Sequence, residues 1–339
     1  MNRLDRFELQ KALLREGRYF KLVCGAGNED PSEIYKLTLV YSLAGASGID
    51  LSARRPVVEA ACRAVQEAER LSPEFGIRDF VRPFLTVSVG MSGDPHVRKA
   101  RIVLEKCAQC GACIASCSAK AIAPDFVVAQ HRCIGCGNCS AACPEDAVVF
   151  SHKPVELRSV LEGCVAAGAE NIELHAAVPG DGQTLGEWKV VTSALEQGFV
   201  SVCLDRGHLS NHALRRRIEL LREHAAGRMI VQADGLPMSG GKDDYNTTLQ
   251  AVAIADIVAK MGLGVYILIS GGTNSRSAEL ARACGVPFAG VSLGTYGRKL
   301  VAEQLDDPAF PETRVLKEAV RKARELVSAN SEPSGRGST

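Results

Sequence analysis

The chain has 339 residues, a net charge of +1 and 46% hydrophobic residues. So even a balance argues against a nucleic-acid-binding surface, and no run of about eighteen apolar residues offers a membrane span. The opening Met1-Asn-Arg-Leu-Asp-Arg-Phe-Glu mixes charges and lacks the apolar core of a signal peptide and the acid-poor, Ser-rich character of a transit peptide, so a cytoplasmic setting with reduced thiols is expected.

Short apolar strands alternate with amphipathic helical stretches along most of the chain. Strands are expected at 20–24, 47–51 and 84–89, with helices at 31–44 and 56–71 between them. A cysteine-rich block follows. Beyond it come a helix at 155–168 and strands at 171–175, 199–204, 229–233, 264–269 and 288–293. Helices at 184–197, 209–226, 246–262 and 275–284 separate those strands, and a last helix fills 312–328. Eight βα units predict an α/β chain folded as a (β/α)8 TIM-type barrel with parallel strands. A doubly wound open sheet is the competing arrangement, and eight equal units suit it less. The expected division is residues 1–93 as the first part of the barrel, 94–152 as an insertion after the third strand, and 153–328 as the second part. Residues 329–339, small, polar and rich in Pro and Gly, are expected to be a disordered tail.

The inserted block carries the strongest chemical signal. Cys107-x2-Cys110-x2-Cys113-x3-Cys117 is followed by Cys133-x2-Cys136-x2-Cys139-x3-Cys143-Pro144. This is the ligand run of a bacterial-type ferredoxin, written twice. Three sulfurs of each run curl around one face of a cubane cluster, and the fourth thiolate comes from the other run. One cluster is therefore assigned to Cys107, Cys110, Cys113 and Cys143, and the second to Cys133, Cys136, Cys139 and Cys117. Structural zinc prefers separated CxxC pairs or Cys/His mixtures, and a disulfide framework would need an oxidising compartment. The first run ends Cys117-Ser118 where the pattern carries proline, so [3Fe–4S] stands beside [4Fe–4S] for one cluster. Residues 98–150 carry six basic side chains against four acidic ones, an unusual sign for a freely diffusing carrier. A module wired into its own protein, or docked by an acidic donor, is expected.

The loops after the seventh and eighth strands form a second candidate site. Gly271, Gly272, Thr273 and Asn274 follow one strand; Gly294, Thr295, Gly297 and Arg298 follow the other. In barrels this pair of loops often holds a phosphate on backbone amides, and FMN is a cofactor that would suit it. Glu173 and His175 alternate on the fourth strand and share a face, with the barrel interior as one candidate side, as a structural or a catalytic pair. Lys242, Asp205, Arg206 and Asp50 are weaker candidates. Cys24 is a candidate redox-active thiol at the barrel mouth, while Cys62, Cys164, Cys203 and Cys284 read as small hydrophobes.

Taken together, Phe-Lys-Leu-Val-Cys-Gly-Ala-Gly-Asn-Glu-Asp from Phe20, Gly-Ile-Asp-Leu-Ser-Ala from Gly48, the paired cysteine runs and Ile-Ser-Gly-Gly-Thr-Asn-Ser from Ile269 resemble the LdpA (light-dependent period) family of cyanobacterial iron–sulfur circadian-input proteins. The resemblance implies a protein that reports cellular redox state to the circadian clock, with the clock-input histidine kinase and core clock proteins as partners. A quinone or ferredoxin pool would be the electron donor or acceptor. The alternative is a flavin- or small-substrate-binding oxidoreductase with the clusters as an electron conduit to the barrel mouth.

Overall fold

The computed structural model describes residues 3–332 except 26, 92, 93, 95, 96, 153, 154, 208 and 237–241. Eight parallel strands close into a barrel: β1 (Tyr19–Val23), β2 (Gly48–Ser52), β3 (Phe84–Gly90), β6 (Asn171–His175), β7 (Val200–Leu204), β8 (Met229–Asp234), β9 (Tyr266–Ser270) and β10 (Gly290–Leu293). Between β3 and β6, β4 (Lys99–Ile102) and β5 (Val148–Ser151) pair antiparallel and close the neck of the inserted block. The TIM-type barrel expected from the alternation is thus present, with the insertion after the third strand, and the open-sheet alternative is excluded by the β1–β10 pairing.

The strands follow from their alternation. Phe20, Leu22, Ile49, Leu51, Ile172, Leu174, Val200, Val202 and Leu204 are buried and belong to the apolar layer that also contains the surrounding helices. Lys21, Asp50, Glu173 and Ser201 have the opposite parity and meet one another. Above the floor, the barrel interior is therefore polar. The floor is apolar: Tyr19, Phe84, Phe199, Ile230 and Leu268 pack against Leu14 of α1 (Arg3–Arg15). Phe7 of this helix stacks on Phe199 at 4.8 Å, and the Arg6 guanidinium lies 4.0 Å over the Phe84 ring.

The surrounding helices start where the capping residues dictate. Asp30 accepts from the amides of Ser32 and Glu33 at the head of α2 (Pro31–Leu43), with Pro31 at the first position. Ser210 caps α8 (Asn211–Arg222) and Asp244 caps α9 (Tyr245–Lys260) in the same way. The others are α3 (Arg55–Leu71), α6 (Leu157–Ala167), α7 (Asp181–Ala194), α10 (Ser277–Ala283), α11 (Thr295–Asp306) and α12 (Thr313–Ser331), with the short α4 (Ala112–Ala115) and α5 (Asn138–Ala141) inside the insertion. The last helix continues to Ser331, into the segment expected to be tail; residues 333–339 lie outside the described residues. No helix among the described residues is long and apolar enough to cross a membrane.

Candidate cluster module and barrel-mouth site

The cysteine runs fold as two loops of the same build. Gly111 (φ 75°) opens the one-turn helix α4 (Ala112–Ala115), and Gly137 (φ 87°) opens its counterpart α5 (Asn138–Ala141). These left-handed positions favour glycine, which carries no Cβ. Lys120 and Asp146, each with φ 47°, turn the chain at matching places after the fourth cysteine of each run. Backbone amides then reach sulfur. Ala121 N donates to Cys117 Sγ and Ala147 N to Cys143 Sγ, both at 3.3 Å. Ala100 N donates to Cys133 Sγ and Gln109 N to Cys107 Sγ, both at 3.4 Å.

The loops also sort the thiols into two groups. Cys107, Cys110, Cys113 and Cys143 line one small pocket with Ile102, Phe126 and Val148. On the other side, Cys136 and Cys139 each have Cys117 and Cys133 as electrostatic neighbours. All eight are free thiols. Burial pushes the Cys113 and Cys136 thiols up and the Cys139 thiol to about 11, so a bound metal would have to displace their protons. Four soft donors on each side, amides aimed at sulfur and an apolar wrapping suit iron–sulfur clusters.

The module sits on the barrel mouth through its second run. Lys99 Nζ donates to the carbonyls of Gly27 and Cys133, and Glu29 N donates to His131 O at 2.7 Å. Arg98 Nε reaches Gly135 O at 3.0 Å. Lys120 pairs with Asp306 of α11 at 2.6 Å. Ile134, between Cys133 and Cys136, reaches the pocket at the centre of the mouth. Cys110 of the first run is exposed.

That central pocket, about 80 Å³, is lined by Gly271, Gly272, Thr273, Gly294, Thr295 and Arg298. Six of the eight residues expected to form a cradle therefore do converge. Asn274 and Gly297 do not. The Asn274 amide is buried and donates to the carbonyls of Lys242 and Asp244 and to Thr247 Oγ1, bracing the loop from behind. Gly297 lies within α11 and accepts from the Tyr41 hydroxyl. Arg298 is half-buried and donates to Val23 O at 2.7 Å. Burial lowers its pKa, against the opposing pull of Cys24, Glu33 and Cys136.

Strand residues, Glu173, His175, Cys203, Gln232 and Asp234 among them, also line the pocket, and behind Glu173 lies a charged network. Lys21 Nζ lies 2.8 Å from Asp50 Oδ2 and 2.5 Å from Glu173 Oε2, and Ser88 donates to Asp50. Burial alone would lower the Lys21 ammonium; the two carboxylates outweigh it and push it up. Burial opposes the Glu173 carboxylate, yet Lys21 and His175 hold it low. Burial would also neutralise His175, but Glu173, Asp94 and Asp50 push it up to about 9. Glu173 and His175 thus face inward together. Cys203, expected to be a buried hydrophobe, lines the same pocket and donates to Asp234 Oδ2 at 3.3 Å. Its parity with Ser201 on β7 was the available signal.

Other candidates fall outside the pocket. Cys24 is fully buried and desolvation raises its thiol, the opposite of what an activated thiolate needs. Lys242 is exposed, and the preceding 237–241 lie outside the described residues. Arg206 binds Leu209 O and Asn211 locally, and Asp205 accepts from Gly207 N. A larger cavity of about 710 Å³ opens at the seam between insertion and barrel, with Glu29, Arg54, Lys99, Gln130 and His152 among its polar lining.

Comparison with known proteins places these features. The Light dependent period A C-terminal domain model matches residues 164–329, and two 4Fe-4S binding domain models match 104–120 and 126–149. "Light dependent period A" of Synechococcus elongatus is 30% identical over 331 residues, covering 93% of this chain and 91% of that protein. Among solved structures, the YdjI aldolase of Escherichia coli K12 aligns over 95% of this chain and 92% of its own, at 8% identity and a TM-score of 0.46. A phosphonopyruvate hydrolase complex with oxalate and Mg aligns over 95% and 97%, at 13% identity and a TM-score of 0.44. The barrel rests on its own strand pairing rather than on these likenesses.

Proposed function

The chain belongs to the Light dependent period A family, and we propose on that footing that it senses cellular redox state and relays it to the circadian clock input. It is an iron–sulfur protein tied by its family to light-dependent period. The ligand sets are Cys107, Cys110, Cys113 and Cys143, and Cys133, Cys136, Cys139 and Cys117. A bound cluster supplies a one-electron couple, and each reduction adds one negative charge to the module.

The observation that carries the reading is Arg298. This half-buried cation of α11 has Cys136 as an electrostatic neighbour and is tied to the carbonyl of Val23 on β1. A change of charge in the second run therefore acts on a side chain that belongs to the barrel. Thr295 on the same helix and the Gly271–Gly272 turn line the pocket that Ile134 reaches. Electrons enter from a quinone or ferredoxin pool at the exposed Cys110 side. The clock-input histidine kinase and core clock proteins read the barrel face, in the cytoplasm.

A second reading is an oxidoreductase with flavin or a small substrate. The 710 Å³ cavity favours it, because Lys99 lines that cavity and binds Cys133 O. The cradle pocket of about 80 Å³ does not. It is well below the roughly 300–1,000 Å³ of sites for drug-sized ligands. Its volume suits a phosphate-sized group and leaves no room for a flavin ring.

Hydrogen exchange of the anaerobic protein, oxidised and then dithionite-reduced, tests the sensor. Reduction is expected to change exchange in α11 and around Gly271. Identical exchange in both states would sink the relay.

A further inference from the structure

The barrel interior holds a second set of metal-ligating side chains, separate from the cysteine runs. Glu173 and His175 on β6 and Cys203 on β7 are 0%, 4% and 2% exposed. One donor atom from each lies within 4.8 Å of the other two. Strand register produces this grouping: His175 stands opposite Cys203, and Glu173 lies two residues back on the same face. His175 Nε2 is 3.2 Å from Glu173 Oε1. Lys21 and Ser201 both hold the other oxygen, Oε2, which fixes the carboxylate with Oε1 toward the imidazole.

We infer that Glu173, His175 and Cys203 bind a divalent transition-metal ion of the zinc class at the barrel mouth. One thiolate, one imidazole and one carboxylate form a donor set that zinc accepts and that magnesium and calcium do not seek. In a tetrahedral shell with Zn–N about 2.0 Å and Zn–S about 2.3 Å, ligand atoms stand about 3.5 Å apart, so side-chain rotation that brings the donors together by up to about 1.3 Å closes the shell. Binding exchanges two protons for the metal: the Cys203 S–H bond breaks as S–Zn forms and its proton passes to Asp234, which already accepts from Cys203, while the His175 imidazolium loses its Nε2 proton to solvent through the pocket as N–Zn forms. Lys21 serves Asp50 and one oxygen of Glu173, while Asp94 and Asp234 add negative potential at Cys203. A divalent cation offsets the cost of burying these carboxylates together. The fourth position of the ion faces the pocket, the arrangement of a site that keeps one ligand exchangeable.

The site does not depend on the cluster assignment, and zinc can be read apart from iron. The test is zinc content and zinc K-edge X-ray absorption on anaerobically purified full-length protein, given one equivalent of Zn²⁺ and then desalted. About one zinc per chain is expected, with about one sulfur and otherwise nitrogen and oxygen donors. His175→Ala and Cys203→Ala should each lower zinc affinity by at least about tenfold, with iron and sulfide unchanged. Zinc that washes off the wild-type protein would overturn the proposal. So would a shell of four sulfurs, which places the ion in the cysteine runs. Should either variant fail to fold, the wild-type spectrum decides alone.

Discussion

At the scale of single residues, the account turns on charge next to sulfur. Arg298 is a half-buried cation with Cys136 as an electrostatic neighbour. Removing it takes away a charge that favours the reduced state. Arg298→Met should lower the midpoint potential of one cluster by on the order of tens of millivolts, with the other left in place. A potentiometric titration followed by electron paramagnetic resonance measures this; two unmoved midpoints would detach Arg298 from the module. Cys136→Ser should remove one of the two signals and about half of the iron. Retention of both full signals would refute the ligand sets. The eight cysteines were legible because their spacing is dictated by the cluster they wrap. Cys203 was not, since a lone cysteine in an apolar strand resembles a small hydrophobe; only its shared parity with Ser201 distinguishes it. Asn274 misled for a physical reason. Loop glycines and an amide side chain suit an anion cradle, but this amide satisfies carbonyls behind the loop instead.

Elements meet at two seams whose strength can be measured. Lys99 of β4 ties the insertion to the barrel by donating to Gly27 O and Cys133 O. Lys99→Ala leaves both carbonyls without this donor and should cost about 1–3 kcal/mol, with faster hydrogen exchange around Cys133. Unchanged exchange there would show that other contacts hold the module. Arg217 of α8 is fully buried and donates to the carbonyls of Ala176, Val178 and Pro179 and to Asp181. It thereby fixes the loop that follows His175. Arg217→Ala should destabilise the chain by about 3–5 kcal/mol in anaerobic urea unfolding. A loss under about 1 kcal/mol would mean that the loop is held elsewhere. All eight barrel strands were legible as short apolar runs alternating with amphipathic helical stretches. The helices α1 and α11 were not among the expected elements. The Gly294–Gly297 stretch suggested a loop, whereas Thr295 already starts a helix and Gly297 sits in its first turn because Leu22 and the Tyr41 hydroxyl leave little room for a Cβ. The role of α1 depends on contacts to residues far along the chain, such as Phe199, which local pattern does not reveal.

Over the whole molecule, the barrel is layered by function. Its floor is apolar and closed by α1, with Arg6 bound to Glu170 through two nitrogens at 2.6 and 2.8 Å. Its interior becomes polar toward the mouth, and the cysteine module lies over that end. Such layering follows the general rule that barrels keep chemistry at the C-terminal ends of their strands. It also explains how a module inserted after the third strand comes to lie near loops after the seventh and eighth, since closure brings all the βα loops to one face. The central claim is that this module carries two iron–sulfur clusters and that the barrel holds no flavin. Iron, acid-labile sulfide and released flavin should be counted on the anaerobically purified full-length protein. The account predicts about eight iron and about eight sulfide per chain if both clusters are [4Fe–4S], about seven iron if one is [3Fe–4S], and no flavin. About four iron or fewer would contradict the two-cluster module, and stoichiometric flavin would replace the sensor with the oxidoreductase.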